Sequence, residues 1–320
     1  MKIGLQLHPD RGVDDVLEEA RIADEQGYDS VWLSDHIMNT RGEHKADGPL
    51  DLFTLAVAIG AVTKRTRLAW GTLNTTLRPP ALFAKMLTSL DQITHGRVIA
   101  TLGSGWTKAE YDAYNLPWID NHDERGEAGR ETIAFFKHLW THPAPELTTW
   151  EGKYVQVKDL PFNPEPYQKP HMPIWIGGES ESTMETVRQY GDGWMMLSAG
   201  GNPETIGKVL SHPEWPRRPM TLVKGGRIVV AATRGEAIET ARGDYEGLQR
   251  TLPQIAPPSF EAFLDRELIG APDDCLEKLA AFEAMGVNYL RVNFASAEMQ
   301  ERVARLILPR LAEVAAAPAS

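Results

Sequence analysis

Pro173-Ile174-Trp175-Ile176-Gly177-Gly178-Glu179-Ser180-Glu181-Ser182-Thr183 decides how the chain is read. A short β-favouring run ends on a glycine pair, and residues with helix-start chemistry follow at once. A strand that feeds directly into a helix is half of a βαβ crossover, the unit from which parallel sheets are built. The glycines let backbone approach a ligand closely, and the helix N-terminus offers unpaired N–H groups and a positive dipole end. Ser180 and Thr183 can add hydroxyls to a phosphate held there; the same residues also read as a helix cap alone, with Ser180 as N-cap. Glu179 would repel a phosphate dianion, so it is expected to point away or to offer only its backbone N–H.

The same alternation extends in both directions. Strands are expected at Lys2–Leu7, Ser30–Leu33, Arg67–Leu73, Val98–Leu102, Pro173–Ile176, Gly193–Leu197, Ile228–Ala232 and Tyr289–Phe294. Between them lie helices: one with Val16, Ala20 and Ala23 on its apolar stripe and Gly27 as its stop, others near 52–63, from Pro79-Pro80 onward, 125–140, from Ser180, around Cys275 and over 299–314. Eight strands each followed by a helix make an α/β fold of the (β/α)₈ or TIM-barrel type. Two stretches break the rhythm: 145–172, after helix four, with a hairpin turn at Trp150-Glu151-Gly152-Lys153-Tyr154, and 251–271, before strand eight. Nothing resembles a linker, so residues 1–320 are expected to form one domain.

Bulk properties narrow the function. Hydrophobic residues make up 42% and charged residues 24%, enough for a large core. The formal charge of −11 argues against a nucleic-acid binder, which shows a basic face. Cys275 is the single cysteine, so no internal disulfide or thiolate cluster can form, and its place in a first helical turn suits a buried small hydrophobe. No apolar run approaches the roughly 20 residues of a membrane span, and the polar N-terminus lacks a signal peptide. A cytoplasmic enzyme is the expectation, and no histidine spacing suggests a metal.

In such barrels chemistry sits on the loops after the C-terminal ends of the strands. The polar residues at those ends are His8, Asp35-His36, Asn74, Ser104 to Thr107, Glu179-Ser180, Ser198 and Asn293. Asp35-His36 is an adjacent acid and imidazole, a titratable pair for proton transfer. His8, Thr107 and Asn293 would face a substrate pocket, although a lone histidine also serves as a capping or packing residue. Trp106 and Trp194 could wall a planar ring or belong to the core. Absence of an early Gly-x-Gly-x-x-Gly speaks against a Rossmann nucleotide site.

Several longer stretches carry a resemblance: Gly27-Tyr28-Asp29-Ser30-Val31-Trp32-Leu33-Ser34-Asp35-His36, Arg78-Pro79-Pro80-Ala81-Leu82-Phe83-Ala84-Lys85, Leu90-Asp91-Gln92-Ile93-Thr94-His95-Gly96-Arg97-Val98, Leu102-Gly103-Ser104-Gly105-Trp106, Pro166-Tyr167-Gln168-Lys169-Pro170-His171-Met172-Pro173-Ile174 and Tyr190-Gly191-Asp192-Gly193-Trp194. In order and spacing the chain resembles the luciferase-like flavin and deazaflavin oxidoreductases over nearly its whole length. The resemblance implies a TIM barrel with His36 at the active-site histidine of bacterial luciferase and Asp35 at an acidic position beside it. It puts Glu179, Ser180 and Thr183, next to Gly177 and Gly178, on flavin-phosphate contacts. It also puts Leu73-Asn74 at a non-prolyl cis peptide under the flavin ring. Ser104 departs from an arginine, Ile37 from a second histidine, and Trp106 from the acidic residue of a deazaflavin-dependent sugar-phosphate dehydrogenase.

The function so implied is a two-component monooxygenase. Reduced FMN from a separate flavin reductase would react with O₂ to oxygenate a small organic substrate, with His36 moving a proton and Asp35 setting its tautomer. The alternative is hydride transfer with coenzyme F420, which the Ser34-Asp35-His36 spelling favours; a non-catalytic flavin-binding protein is a third reading. A homo-oligomer, dimer or larger, is expected. The loops 38–50, 107–124 and 251–271 would set the substrate.

Overall fold

The computed structural model describes residues 1–8, 12–38, 49–142, 146–196, 203–251, 253 and 255–315. In chain order the elements are β1 (Lys2–Gln6), α1 (Val13–Gln26), β2 (Ser30–Leu33), α2 (Leu52–Val62), β3 (Arg67–Trp70), β4 (Leu73–Asn74), α3 (Pro80–Ile93), β5 (Ala100–Gly103), α4 (Lys108–Ala113) and α5 (His122–Thr141). There follow β6 (Leu147–Glu151), β7 (Gln156–Pro161), β8 (Ile174–Gly177), α6 (Glu181–Tyr190), β9 (Gly193–Met195), α7 (Pro203–Leu210), β10 (Thr221–Val230) and α8 (Arg234–Thr251). The chain closes with α9 (Phe260–Arg266), β11 (Leu268–Gly270), α10 (Pro272–Ala284), β12 (Tyr289–Asn293), α11 (Ala297–Leu306), a 3₁₀ turn at Leu308–Arg310 and α12 (Leu311–Ala315). The expected end of strand six at Leu197, and Ser198, lie outside the described residues. Among the described residues no helix is long and apolar enough to cross a membrane.

Two compact units share these elements, and the larger comprises Leu7–Arg21 and Val31–Trp194. Here β4, β5 and β8 run parallel, with Leu73 opposite Leu102 and Thr101 opposite Trp175. The Trp32 and Trp175 rings pack 5.8 Å apart, and Trp70 stacks on Phe53 from α2. The Arg97 guanidinium donates to the Gly60, Thr63, Thr66 and Thr94 carbonyls and to Thr63 Oγ1, tying off the C-terminal end of α2. Asp91, fully buried, accepts from the backbone N–H and side-chain amide of Gln168, which pins the proline-rich connector that leads into β8. The expected hairpin is present as the antiparallel pair β6–β7.

The other unit comprises Met1–Gln6, Ile22–Ser30 and Met195–Ser320. Parallel pairing joins β1 to β12 and β12 to β10, and Tyr289 Oη donates to Asp29 Oδ2 at 2.6 Å. Gly27 ends α1 with φ +88°, a left-handed conformation that favours glycine. Cys275 is buried, as expected, and burial pushes its thiol up to about 12.

Four expectations about elements need correction. The third strand is not continuous: β3 ends at Trp70, a cis peptide joins Gly71 to Thr72, and β4 begins at Leu73. The non-prolyl cis bond is therefore not at Leu73–Asn74; glycine, lacking Cβ, is the residue that best tolerates the close Cα–Cα approach of a cis unit. The strand expected from Ile228 already starts at Thr221. Its polar Lys224-Gly225-Gly226-Arg227 stretch hid it; the buried Lys224 Nζ donates to the Gly225 carbonyl, and Glu267 accepts the Arg227 backbone N–H. The 251–271 stretch is not irregular throughout, because it contains α9 and β11, and β11 pairs in parallel with the end of β10. Finally, the last helix breaks after Leu306, where Pro309 enters the 3₁₀ turn.

Candidate active site

β2 ends at Leu33, and the chain then presents Asp35 and His36. Asp35 is nearly inaccessible and accepts three hydrogen bonds: the Asn74 N–H at 2.8 Å and both Arg78 Nη groups at 2.8 and 2.9 Å. Arg78 also reaches Asp51 Oδ2 at 3.2 Å. Burial alone would lower the Arg78 pKa, but the hydrogen bonds and charges of Asp35 and Asp51 outweigh it and raise it. Asp51 caps α2 through Thr54, and although burial works to raise its pKa, Thr54 and Arg78 together hold it below the usual range. One guanidinium thus joins the end of β2, the start of β4 and the cap of α2.

His36 has a different carboxylate. Its Nδ1 lies 3.0 Å from Glu110 Oε2, while Glu110 Oε1 accepts the Ile37 N–H at 2.8 Å. Glu110 stands on α4 at 3% exposure, so its charge is spent on these donors. Tyr114, one turn on, donates to the Ile37 carbonyl. The Trp106 indole meets the imidazole edge-on at 5.7 Å and is 64% exposed, leaving ring surface for a ligand. The expected tautomer-setting role of Asp35 is corrected here: its oxygens are committed to Arg78 and Asn74, and Glu110 holds the imidazole.

Asn74 continues the wall. Its Oδ1 accepts from the N–H and hydroxyl of Thr76, whose Oγ1 lies 2.7 Å from Tyr111 Oη. Burial raises the Tyr111 pKa, so it stays a neutral hydroxyl. A Cβ on Gly105, where φ is +75°, would sit 2.4 Å from Asn74 Nδ2, so only glycine lets these two loops close on each other. Leu73 is fully buried beneath.

Thr75 and Ser104, neighbours of Asn74 and Gly105 in the same two loops, line a second feature, a small open cleft. Thr75, Ser104, Ser182, Thr183 and Thr186 give it hydroxyls, Arg130, ion-paired with Glu185 of α6, is its cation, and no carboxylate is among its lining residues. Two α5 glycines keep it open: a Cβ on Gly126 would lie 2.3 Å from Ser182 Oγ, and one on Gly129 would lie 3.1 Å from Thr75 Oγ1. Gly177 borders the cleft and Gly178 follows with φ +127°. Ser180 is the N-cap of α6, accepting the Thr183 N–H, and its Oγ lies 2.9 Å from Thr183 Oγ1. The cap reading of Ser180 is thus observed, while of the pair only Thr183 lines the cleft. Trp194 is buried, and its Nε1 donates to the Gly178 carbonyl, fixing the loop from below. Glu179 is exposed and does not line the cleft.

His8 Nδ1 lies 3.8 Å from Glu19 Oε1. Thr107 precedes α4 without capping it. Asn293, at the end of β12, belongs to the other compact unit. Glu110, Arg130, Tyr111 and Tyr114 were given no role from sequence, and Arg78 appeared only within a motif. A base directly before Pro79-Pro80, next to a strand end, was the available signal for Arg78.

Comparison with known proteins adds the lineage. The family described as luciferase-like monooxygenase matches residues 1–289. The chain belongs to that family. As a luciferase-like protein it is 25% identical to an FMNH₂-dependent dimethylsulfone monooxygenase of Pseudomonas putida, across 92% of this chain and 87% of the relative. It is 28% identical to an F420-dependent glucose-6-phosphate dehydrogenase of Beutenbergia cavernae, across 93% of each. A monooxygenase structure from Streptomyces bottropensis superposes with a TM-score of 0.77 at 22% identity, covering 97% of this chain and 99% of that one. The shared fold is the (β/α)₈ barrel class expected from the strand–helix alternation.

Proposed function

We propose that this luciferase-like protein is a monooxygenase that takes reduced FMN from a separate reductase and uses O₂ to oxygenate a small organic substrate. The carrying observation is the cleft: its lining offers hydroxyls and Arg130, whose guanidinium also pairs with Glu185, and no carboxylate lines it, a donor set that suits a phosphate in a chain of net charge −11. Leu102, Ile133 and Ile176 also line it, and such apolar walls suit a terminal phosphomonoester better than a tailed phosphodiester.

Ser104, Ser180, Thr183 and Arg130 would hold the phosphate, with Gly177 and Gly178 giving room. Trp106 and the Leu73–Asn74 segment would border the ring, one loop step away. Reduced flavin, when bound, supplies the electrons that activate O₂. His36 acts as the proton-transfer group, held by Glu110, while Asp35 and Arg78 keep the strand end rigid beneath it. Trp194 works through the Gly178 carbonyl, and His8, Thr107 and Asn293 remain proposed substrate-side residues. One domain, a homo-oligomeric assembly and a cytoplasmic setting belong to the same proposal.

Anaerobic titration of the purified protein with reduced FMN, reduced riboflavin and F420 tests it. Reduced FMN should bind at least about tenfold tighter than reduced riboflavin, the worth of one charge-assisted hydrogen bond, and air should then yield oxygenated product with a suitable substrate. Tight F420 binding with hydride transfer and no oxygen uptake would overturn the FMN proposal in favour of the deazaflavin alternative.

A further inference from the structure

We infer that Glu110 is a positioning residue that locks His36 in the Nδ1–H tautomer, so that the neutral imidazole offers Nε2 only as a proton acceptor. The inference rests on the proposed role of His36, but its physical content does not need a cofactor.

A carboxylate has no hydrogen to give, so the 3.0 Å contact to Glu110 Oε2 is satisfied in a neutral ring only if Nδ1 carries the proton. The second oxygen of Glu110 is taken by the Ile37 N–H at 2.8 Å, which fixes the carboxylate plane by two bonds to adjacent residues of one loop. Tyr114 Oη, at the C-cap of α4, donates to the Ile37 carbonyl, so α4 and its cap hold both backbone polar groups of Ile37. The neighbouring polar groups are engaged by other partners: Asp35 by Arg78 and the Asn74 N–H, and Tyr111 Oη by Thr76. Nε2 has no protein partner among the described residues. It is the nitrogen left for a substrate or a bound reactant.

An amide in place of the carboxylate makes a distinctive prediction. In Glu110→Gln the side-chain oxygen can still accept the Ile37 N–H, but the NH₂ group must then face Nδ1 and donate to it. That inverts the tautomer, placing the hydrogen on Nε2 and turning the exposed nitrogen into a donor. Glu110→Asp keeps a carboxylate and should keep the wild-type tautomer wherever its shorter arm still reaches.

The experiment is ¹⁵N NMR of histidine-labelled protein without cofactor, above the pH at which the ring is neutral, with His36→Asn assigning the signals. Wild type should show a protonated Nδ1 and a bare Nε2, and Glu110→Gln the reverse. With reduced FMN and O₂, Glu110→Gln should lower kcat by about tenfold or more while flavin affinity stays within about twofold, since proton-transfer groups contribute on this scale. A wild-type ring protonated on Nε2, or one tautomer shared by wild type and Glu110→Gln, would overturn the inference. The wild-type spectrum alone decides if the variant fails to fold. Absence of flavin-dependent activity with the expected spectra would instead count against the proposed function and leave the Glu110 assignment standing.

Discussion

Replacing Asp35 by alanine tests whether that carboxylate builds the site or takes part in its chemistry. The Asp35 and Arg78 side chains are 1% and 11% exposed, and two bonds of 2.8 and 2.9 Å join them. Removing one partner of such a pair strands a buried charge, which costs about 3–5 kcal/mol. Two corrections oppose each other. Arg78 keeps Asp51, whose carboxylate is 44% exposed and lets the guanidinium lean toward water. The Asn74 N–H meanwhile loses its acceptor, at about 1–3 kcal/mol. The expected loss therefore stays at about 3–5 kcal/mol. Urea unfolding followed by tryptophan fluorescence reads it directly. Asp35→Asn, which retains an acceptor for Asn74, should lose less. The double variant Asp35→Ala/Arg78→Leu should lose clearly less than the sum of its parts, because the stranded charge is gone. A loss below about 1 kcal/mol, or strict additivity, would refute the view that this pair anchors the strand end.

Arg130→Ala should weaken reduced FMN binding by about 1.5–3 kcal/mol and leave reduced riboflavin unchanged in the same titration; equal effects on both would move the phosphate elsewhere. Ser180→Ala should weaken FMN and also destabilise the fold by about 1 kcal/mol, because the residue caps α6 and bonds Thr183, which lines the cleft; thermal melts of the free protein separate the two losses. His36→Ala should depress turnover by about 10²-fold with flavin affinity nearly constant, and parallel losses in both would make it a binding residue. Asp51 has a depressed folded pKa, so its contribution to stability is present above the ordinary carboxylate value and lost as pH falls through the folded one. The acid limb of the stability curve should accordingly flatten in Asp51→Asn, and an unchanged limb would show the Arg78 link to be without weight.

The parts of this molecule that local chemistry specifies were readable from sequence. Ser30–Leu33 was expected as a strand between a glycine stop and a polar end, and β2 has those limits. Ser180 was read both as cap and as phosphate donor because a helix N-terminus satisfies either with the same oxygen. What escaped was set by long-range geometry. Asp35 and His36 look like a pair because they are adjacent, yet neighbouring residues on an extended segment point to opposite sides. Each found its partner far along the chain, Arg78 for one and Glu110 for the other. Glu110 was hidden further by its helix, whose six residues are too few to show a periodicity. Arg130 lay within a correctly expected helix, but its face toward the cleft depends on glycines at 126 and 129 that read only as weak helix formers.

Arg78 holds Asp35 and Asp51 at once, and these residues bracket the segment that leaves β2 and returns at α2. The clasp makes the base of that segment independent of its length. Loop-closure entropy grows only logarithmically with length, by about 0.6 kcal/mol for each doubling, and Asp35 and Asp51 meet on the same guanidinium. Insertions or deletions there would leave His36 and the helix cap where they are.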